Sequence, residues 1–348
     1  MKLGFPRAMN YYDYYPFWAG FFHYLGIELK TSRPTDQGIM ENGLKKAYTE
    51  MCLPIKLLVG HINALDDVDG VFFPRMVSME EKTYLCPKIL GLPEGVQSAV
   101  PSRLKIYTVT LNYREGRKQV QTALENFGRE LGYGRKEVRS AYKQAQEWQG
   151  IYEKQRLKGW SFEACMRSLG SLPEMSERIL AENPQNENKR QEKPHIALIG
   201  HPYLIYEGYV NHNLLKRLEE EAYVYVSENV EKAEQQSCLQ QLRKPLFWSH
   251  AQKIYGAGSS YVKDQAIEGI IYLTCFGCGS DSMTEELVAS QARKVHKPYM
   301  VITLDEHTGE AGLITRLEAF LDMIARRQTR ENNLSSYGKC LDCDSNLI

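Results

Sequence analysis

The stretch GIIYLTCFGCGSDSMTEE occupies residues 269–286 and reads as a strand, a glycine-rich loop and a helix start. Residues 269–273 form a continuous apolar run, which is typical of a strand covered on both faces. Ser282-Met283-Thr284-Glu285 has the spacing of a capping box, so we expect the helix to begin there. A strand that leads directly into a helix is the repeating unit of α/β proteins. Cys275 and Cys278 lie between the two elements, where open α/β sheets bind ligands.

Short apolar runs and amphipathic stretches alternate on both sides of this segment. Further strands are predicted at residues 2–5, 27–30, 71–73, 195–199, 222–226 and 299–304. Helices are predicted at residues 14–25, 36–48, 54–65, 209–219, 244–256, 282–294 and 312–327. Between the two blocks, one helical face is marked by Val138, Tyr142, Ala145, Trp148 and Tyr152. The pattern predicts mostly parallel sheets covered by helices, with a helical segment between them.

The two α/β blocks resemble each other. Gly4-Phe5-Pro6 at the end of the first strand corresponds to Gly200-His201-Pro202 in the second block, and Leu29 and Tyr225 each lie 23 residues past those prolines. An internal duplication explains this order of features. We therefore expect an α/β fold of two similar Rossmann-like (flavodoxin-like) parallel-sheet domains with a helical connector. Ligands usually bind in the cleft between such domains.

Four regions follow from this pattern. They are a first α/β domain at residues 1–111, a helical connector and polar linker at 112–194, a second α/β domain at 195–327, and a tail with a C-x-x-C motif at 328–348.

The composition excludes several classes of protein. Lys and Arg number 43, and Asp and Glu also number 43, so the chain lacks the basic surface that a nucleic-acid protein needs. No window reaches the roughly 18 apolar residues of a membrane span, and the first residues do not form a secretory signal. We expect a soluble cytoplasmic protein with no membrane partner. In that compartment thiols stay reduced, so the eight cysteines are not a disulfide framework.

The cysteines differ in their settings. Cys52 and Cys86 precede prolines at predicted helix starts, and Cys275 and Cys278 lie in the strand-to-helix loop. A buried free cysteine is usually a packing residue, but four at such junctions favour thiolate ligation of a metal. Two others, Cys165 and Cys238, are expected to be packing residues. The tail pair Cys340 and Cys343 could bind metal or act as a redox pair, and the sequence leaves this open.

A second polar group follows the strand at residues 299–304. Glu306, His307 and Glu310 could orient a ligand or relay protons as catalytic residues, or they could cap the last helix and form internal ion pairs. The candidate cofactor-binding residues beside the predicted loops are Arg7, Arg75, Lys88 and His201.

Several longer runs resemble a known family. These runs are GFPRAMNYYDYYPFW, EMCLPIKLLVGHI, FFPRMVSMEEKTYLCPKILGLP, IGHPY, CFGCGSDSM and LDEHTGEAGLITRLEAFLDM. The chain looks like a member of the acyl-CoA dehydratase activase-related family of anaerobes. That family is similar to the catalytic, cluster-carrying subunits of 2-hydroxyacyl-CoA dehydratases.

The resemblance implies an iron–sulfur cluster. In the dehydratase relatives, two Rossmann-like domains hold a 4Fe-4S cluster through three cysteines, and an ATP-dependent activase supplies an electron. By position, the three ligands would be Cys52, Cys86 and Cys278, with Cys275 as an additional candidate. Another branch carries a double-cubane cluster on six cysteines, and here Cys340 and Cys343 would complete the six.

The functional expectation is low-potential electron transfer, or reductive or dehydratase-type chemistry, on an acyl-CoA or another small molecule. The alternatives are a double-cubane reductase, a non-catalytic cluster carrier or scaffold, and a zinc-stabilised ligand-binding protein. The spacing of 61 residues between Cys278 and Cys340 is too long for a compact zinc ribbon. The oligomeric state stays open, with a homodimer as the commonest case.

Overall fold

The computed structural model of this chain describes residues 1–170 and 193–332. These residues form an α/β fold with parallel sheets, which confirms the predicted fold class at that level. Most of the predicted polar linker and the tail cysteines Cys340 and Cys343 lie outside the described residues.

The first sheet has four parallel strands. In chain order they are β1 (Lys2–Phe5), β2 (Glu28–Thr31), β3 (Gly70–Phe72) and β5 (Lys105–Tyr107). Their spatial order is β2-β1-β3-β5. Leu3 pairs with Leu29 on one side and with Gly70 on the other. Because parallel strands end at one edge of a sheet, the residues that follow β1 and β3 lie close together.

The second sheet has the same arrangement. Its parallel strands are β7 (His195–Gly200), β8 (Tyr223–Val226), β9 (Gly269–Cys275) and β10 (Tyr299–Leu304). They lie in the order β8-β7-β9-β10, so in each sheet the first strand stands between the second and the third. Ala197 pairs with Tyr225, just as Leu3 pairs with Leu29 in the first sheet. The shared strand order agrees with the repeat read from the sequence.

Helices cover the sheets. In the first block they are α1 (Tyr11–Tyr24), α2 (Gln37–Lys46), α3 (Leu53–Asn63), α4 (Pro87–Leu90) and α5 (Leu92–Val96). In the second block they are α9 (Pro202–Ile205), α10 (Leu214–Glu221), α11 (Lys232–Leu239), α12 (Ser249–Lys263), α13 (Gly279–Lys294) and α14 (Glu310–Asn332). None of the helices within 1–170 and 193–332 is long and apolar enough to cross a membrane.

The segment between the blocks is helical. It contains α6 (Arg117–Glu130), α7 (Arg135–Leu157) and α8 (Phe162–Gly170). The predicted apolar face of α7 is largely buried, and the hydroxyl of Tyr152 donates to the backbone carbonyl of Tyr12 on α1. One apolar cluster contains residues of both sheets and of all three connecting helices, so the two blocks share a continuous core.

Three predicted helix starts in the second block are wrong, and the helix predicted from residue 14 begins three residues earlier, at Tyr11. The helix at 282 begins at Gly279, because Ser282 and Thr284 bond to the carbonyls of Gly279 and Ser280 within the helix instead of capping it. The helix at 244 begins at Ser249, because Trp248 is held in an isolated bridge with Tyr84.

The helix predicted from 209 is the third case. The chain first forms the short helix α9, and Asn211 then bonds to two α9 carbonyls, so α10 begins only at Leu214. The sequence pattern does not predict β5 or the small parallel sheet of β4 (Arg75–Ser78) and β6 (Thr110–Asn112).

Candidate metal centre

Three cysteines occupy the same structural position. Cys52, Cys86 and Cys278 are the N-cap residues of α3, α4 and α13. In each case the cysteine carbonyl accepts the first backbone hydrogen bonds of the helix. Prolines near the starts of α3 and α4 favour a helix beginning there. The free N–H groups of a helix start favour negative charge, so this position stabilises a thiolate.

A fourth cysteine joins these residues. Cys275 is the last residue of β9, and its thiol lies close enough to the thiols of Cys52 and Cys278 to lower their pKa values. Cys86 lies close enough for the charges of Cys52 and Cys278 to act on it. We refer to Cys52, Cys86, Cys275 and Cys278 as the thiol cluster. It combines residues from both α/β blocks: Cys275 ends a strand, and the other three precede helices.

The four thiols differ in acidity. The hydrogen bond with Cys275 lowers the pKa of Cys278 to about 3, against the effect of burial. The hydrogen bond with Cys275 and the charge of Lys88 lower the pKa of Cys52 to about 7. Burial raises the pKa of Cys86, and contacts with Cys278 and Cys52 raise that of Cys275. The cluster therefore carries at least one thiolate at neutral pH, while Cys275 keeps its proton.

A buried histidine–aspartate pair adjoins Cys278. Nε2 of His201 lies 2.8 Å from Oδ1 of Asp281, and the hydroxyl of Thr274 donates to the other carboxylate oxygen at 3.0 Å. Ligand atoms of His201, Cys278 and Asp281 lie within 4.8 Å of one another, which makes them a candidate site for a single metal ion. No local sequence pattern singles out Thr274, whereas Asp281 follows Cys278 at the three-residue spacing of one helix face, a signal that could have identified it.

Tight backbone packing places His201. Gly200 has a φ of +156°, and a Cβ there would lie 2.3 Å from the carbonyl oxygen of Leu273 on β9. Only glycine fits this approach, which brings the end of β7 against the end of β9. The ring of Tyr203 stacks on the imidazole of His201 with centroids 4.6 Å apart.

The His201–Asp281 pair is ionised at neutral pH. Burial lowers the pKa of His201, but the charge and hydrogen bond of Asp281 outweigh it and raise the value to about 10. Burial also raises the pKa of Asp281 against the opposing charge of His201. We assign a charged pair because both carboxylate oxygens accept hydrogen bonds, which favours the charged form. The imidazolium in turn helps to keep Cys278 a thiolate.

The candidate cofactor-binding residues lie in different places. Lys88 acts on Cys52 through its charge, and His201 contacts Cys278. Arg7 lies over the ring of Tyr11, 5.6 Å from its centroid, and Arg75 forms an ion pair with Glu94. The structure thus places His201 and Lys88 near the thiol cluster. The partners of Arg7 and Arg75 are residues outside the thiol cluster.

The candidate catalytic residues form ion pairs and a turn. Glu306 accepts a hydrogen bond of 2.8 Å from Lys56 on α3, so it joins the two blocks. Glu310 forms an ion pair with Arg217, and the backbone N–H of His307 donates to Asp305. Ion pairs belong to the structural alternative for this segment, and the catalytic role of the three residues stays a prediction.

The expected packing cysteines are buried. Cys165 lies in the main apolar cluster, where burial raises the pKa of its thiol to about 11. Cys238 is buried on α11, with Nζ of Lys263 at 3.7 Å from its sulfur.

Comparison with known proteins identifies one family. The family described as "CoA enzyme activase uncharacterised domain" matches residues 2–230, well over half of the chain. The match includes Cys52, Cys86 and His201 and ends before Cys275 and Cys278. None of the curated proteins matches the chain.

Proposed function

Because the chain belongs to the CoA enzyme activase uncharacterised domain family, we propose that it is an iron–sulfur protein whose cluster is bound by the thiol cluster. A 4Fe-4S cluster held by Cys52, Cys86 and Cys278, with Cys275 beside them, is the simplest form. The observation that carries this proposal is the convergence of four thiols, three of them at helix starts.

The donor set fits such a group. Soft thiolate ligands favour iron–sulfur clusters and zinc over magnesium or calcium. Ligation needs deprotonated sulfur, and Cys278 already has a strongly lowered pKa. Lys88 and His201 supply positive charge beside ligands that would carry negative charge.

The proposal extends to the architecture and the partners. The two sheets with one strand order support two Rossmann-like domains, at about residues 1–111 and 195–327, that arose by duplication. A bound cluster would supply one-electron chemistry at low potential. The electron donor would be an ATP-dependent activase, and the substrate an acyl-CoA or another small molecule. A carrier that only passes electrons to a partner is the non-catalytic form of the same proposal.

A single metal ion is the second candidate. His201, Cys278 and Asp281 present nitrogen, sulfur and oxygen ligands within 4.8 Å of one another, a set that zinc accepts. The hydrogen bond between His201 and Asp281 opposes this candidate, because these ligand atoms already satisfy each other.

Metal analysis separates the candidates. The full chain is purified without oxygen, and its iron, acid-labile sulfide and zinc are measured. Equal amounts of iron and sulfide, at about four per chain, are expected for a single cubane. Stoichiometric zinc without sulfide would establish the second candidate. A protein that stays free of iron after reconstitution would overturn the proposed function.

The same measurement of iron and sulfide tests whether the tail cysteines bind iron. Replacement of Cys340 and Cys343 by alanine should leave the iron content of a single-cubane protein unchanged. About eight irons per chain, halved in this variant, would instead establish the double-cubane form.

A further inference from the structure

A large cavity lies between α1, α7 and α12. It has a volume of about 790 Å³ and is lined by residues of both α/β blocks and of α7. This volume falls within the usual range for small-molecule sites. Phe17, Met76 and Leu111 contribute to an apolar part of the lining, while Asp13, Glu228 and Lys253 contribute charged groups.

The charged groups form a buried ion-pair cluster. Nζ of Lys253 on α12 lies 3.2 Å from Oδ1 of Asp13 on α1 and 3.8 Å from Oε1 of Glu228. The side chains of Asp13 and Glu228 are each 9% exposed. Arg156 on α7 lies 4.0 Å from the other oxygen of Glu228, and it also bonds to the hydroxyl of Tyr206. Both cations of the cluster are therefore already paired.

Several acceptors in the cavity wall have no hydrogen-bond partner among the described residues. They are Oδ2 of Asp13, Oε1 of Glu228 and Oε1 of Gln149. Gln149 lies next to Asp13, because its amide group donates to the backbone carbonyl of Asp13 at 3.0 Å. Buried polar atoms in folded proteins nearly always have partners. Oε1 of Glu228 has only the 3.8 Å ion pair with Lys253, so all three oxygens can accept a hydrogen bond from a donor-rich ligand. Two donors of the same wall, Nε of Arg156 and Nε1 of Trp18, also lack a hydrogen-bond partner among the described residues.

A buried imidazole also lines the cavity. His250 is 8% exposed, and neither of its ring nitrogens has a hydrogen-bond partner among the described residues. Burial lowers its pKa to about 4, so the ring is neutral at physiological pH and adds no positive charge. Its centroid lies 5.1 Å from that of His201, which contacts Cys278. This side of the cavity therefore approaches the thiol cluster.

The charge balance favours a cationic ligand over an anionic one. Five acidic and four basic residues line the cavity, and the half-buried Lys253 and the buried Arg156 are already paired with Asp13 and Glu228. An anion would have to compete with these carboxylates for Lys253 and Arg156. A protonated amine instead offers N–H donors to the unpartnered oxygens, in charge-assisted hydrogen bonds that are stronger than neutral ones.

We propose that this cavity binds a small organic ammonium compound, with its charged group near Asp13, Glu228 and Gln149 and an apolar body against Phe17, Met76 and Leu111. The inference does not rest on the iron–sulfur proposal, because none of these residues belongs to the thiol cluster.

Calorimetric titration of the full chain with three matched probes tests this inference. Phenethylamine, 2-phenylethanol and 3-phenylpropanoate share an aromatic body and differ in the charge of the end group. We expect phenethylamine to bind most tightly and 3-phenylpropanoate most weakly, with a difference of at least about tenfold. Equal binding of all three probes, tighter binding of the carboxylate, or no binding of the amine would overturn the inference.

Variants of the cavity acids test whether phenethylamine binds in this cavity. Asp13→Asn and Glu228→Gln should each weaken phenethylamine binding by about tenfold, whereas Glu41→Gln on the exposed face of α2 should leave it unchanged. If one cavity variant fails to fold, the other still gives the comparison, and the order of the three probes on the wild-type chain needs no variant. The varied residues all lie outside the thiol cluster, so the amine titration separates this inference from the fate of the cluster. Unchanged binding in the folded cavity variants would place the amine elsewhere.

Discussion

Cys278 and Cys165 carry the same thiol in opposite surroundings. Cys278 stands at a helix start beside Cys275 and the charged His201, and its pKa is lowered to about 3. Cys165 lies among apolar side chains, where burial raises its pKa to about 11. The hydrogen bond with Cys275 and the neighbouring charge of His201, not residue type, decide that Cys278 is suited to bind a metal.

This difference predicts the pH dependence of alkylation in the reduced, metal-free chain. Cys278 loses its thiolate only as the pH falls through about 3, so its iodoacetamide labelling rate should change less than about twofold between about pH 5 and pH 8. The rate for Cys52 should rise steeply as the pH increases through about 7. Cys165 should stay unlabelled in the folded chain. Peptide mass spectrometry measures all three rates, and a Cys278 rate that rises tenfold per pH unit would contradict the assigned thiolate.

The sequence is enough to separate candidate ligand cysteines from packing cysteines. It is not enough to identify the residues that lie beside them in space. Cys52, Cys86 and Cys278 were recognisable because proline, glycine and a strand end mark helix starts locally. The pairing of His201 with Asp281 spans 80 residues and depends on how two strands meet, which no local pattern encodes. For the same reason the cavity acids Asp13 and Glu228 were not singled out.

Helix α3 depends on glycine contacts with α2. A Cβ at Gly60 on α3 would lie 2.1 Å from the carbonyl oxygen of Ile39, and one at Gly43 on α2 would lie 2.1 Å from that of Lys56. These backbones therefore touch, and no side chain fits between them. Since Cys52 caps α3, this contact also positions a proposed ligand.

Substitution of one glycine should separate these helices. Gly60→Ala should lower the free energy of unfolding by about 2–3 kcal/mol, because the added methyl group forces the backbones apart. Gly150 on α7 is the matched control, since a Cβ there meets nothing within 4 Å. Gly150→Ala should stabilise the chain by about 0.5–1 kcal/mol through helix propensity. Urea unfolding measures both changes, and a Gly60→Ala chain as stable as the wild type would refute the close contact.

Elements were predictable from sequence where their signal is local. Buried strands such as β7, β9 and β10 appear as short apolar runs, and their predicted positions agree with the structure to within two residues. The strands β4 and β6 are short and pair across more than thirty residues, so composition alone does not reveal them. The start of α13 was misplaced because Ser282 has a capping sequence but bonds within the helix.

Polar contacts join the two blocks as well as apolar packing. The hydroxyl of Tyr12 donates to Glu207 at 2.8 Å, and Lys56 on α3 donates to Glu306 after β10 at 2.8 Å. The side chain of Lys56 is only 7% exposed. A buried ammonium without its partner is costly, so this ion pair constrains how the blocks meet.

Removal of the carboxylate from this pair should destabilise the whole chain. Glu306→Ala leaves the Lys56 ammonium buried and unpaired, and we expect a loss of about 3 kcal/mol in the free energy of unfolding. Glu310→Ala is the control, because its pair with Arg217 is exposed and should contribute less than about 1 kcal/mol. Urea unfolding at neutral pH compares them. Equal losses would mean that the Lys56–Glu306 pair does not hold the blocks together.

The proposed cluster ligands come from both α/β blocks, so cluster binding depends on the fold of the whole molecule. Cys278→Ala and Cys165→Ala remove one thiol each, from the thiol cluster and from the apolar core. The decisive measurement is the iron and sulfide content of the two variants after identical anaerobic reconstitution. We expect Cys278→Ala to lose most of its iron and sulfide, and Cys165→Ala to keep the wild-type content at some cost in stability. Equal iron in both variants, or equal loss from both, would contradict the assignment of the cluster to these thiols.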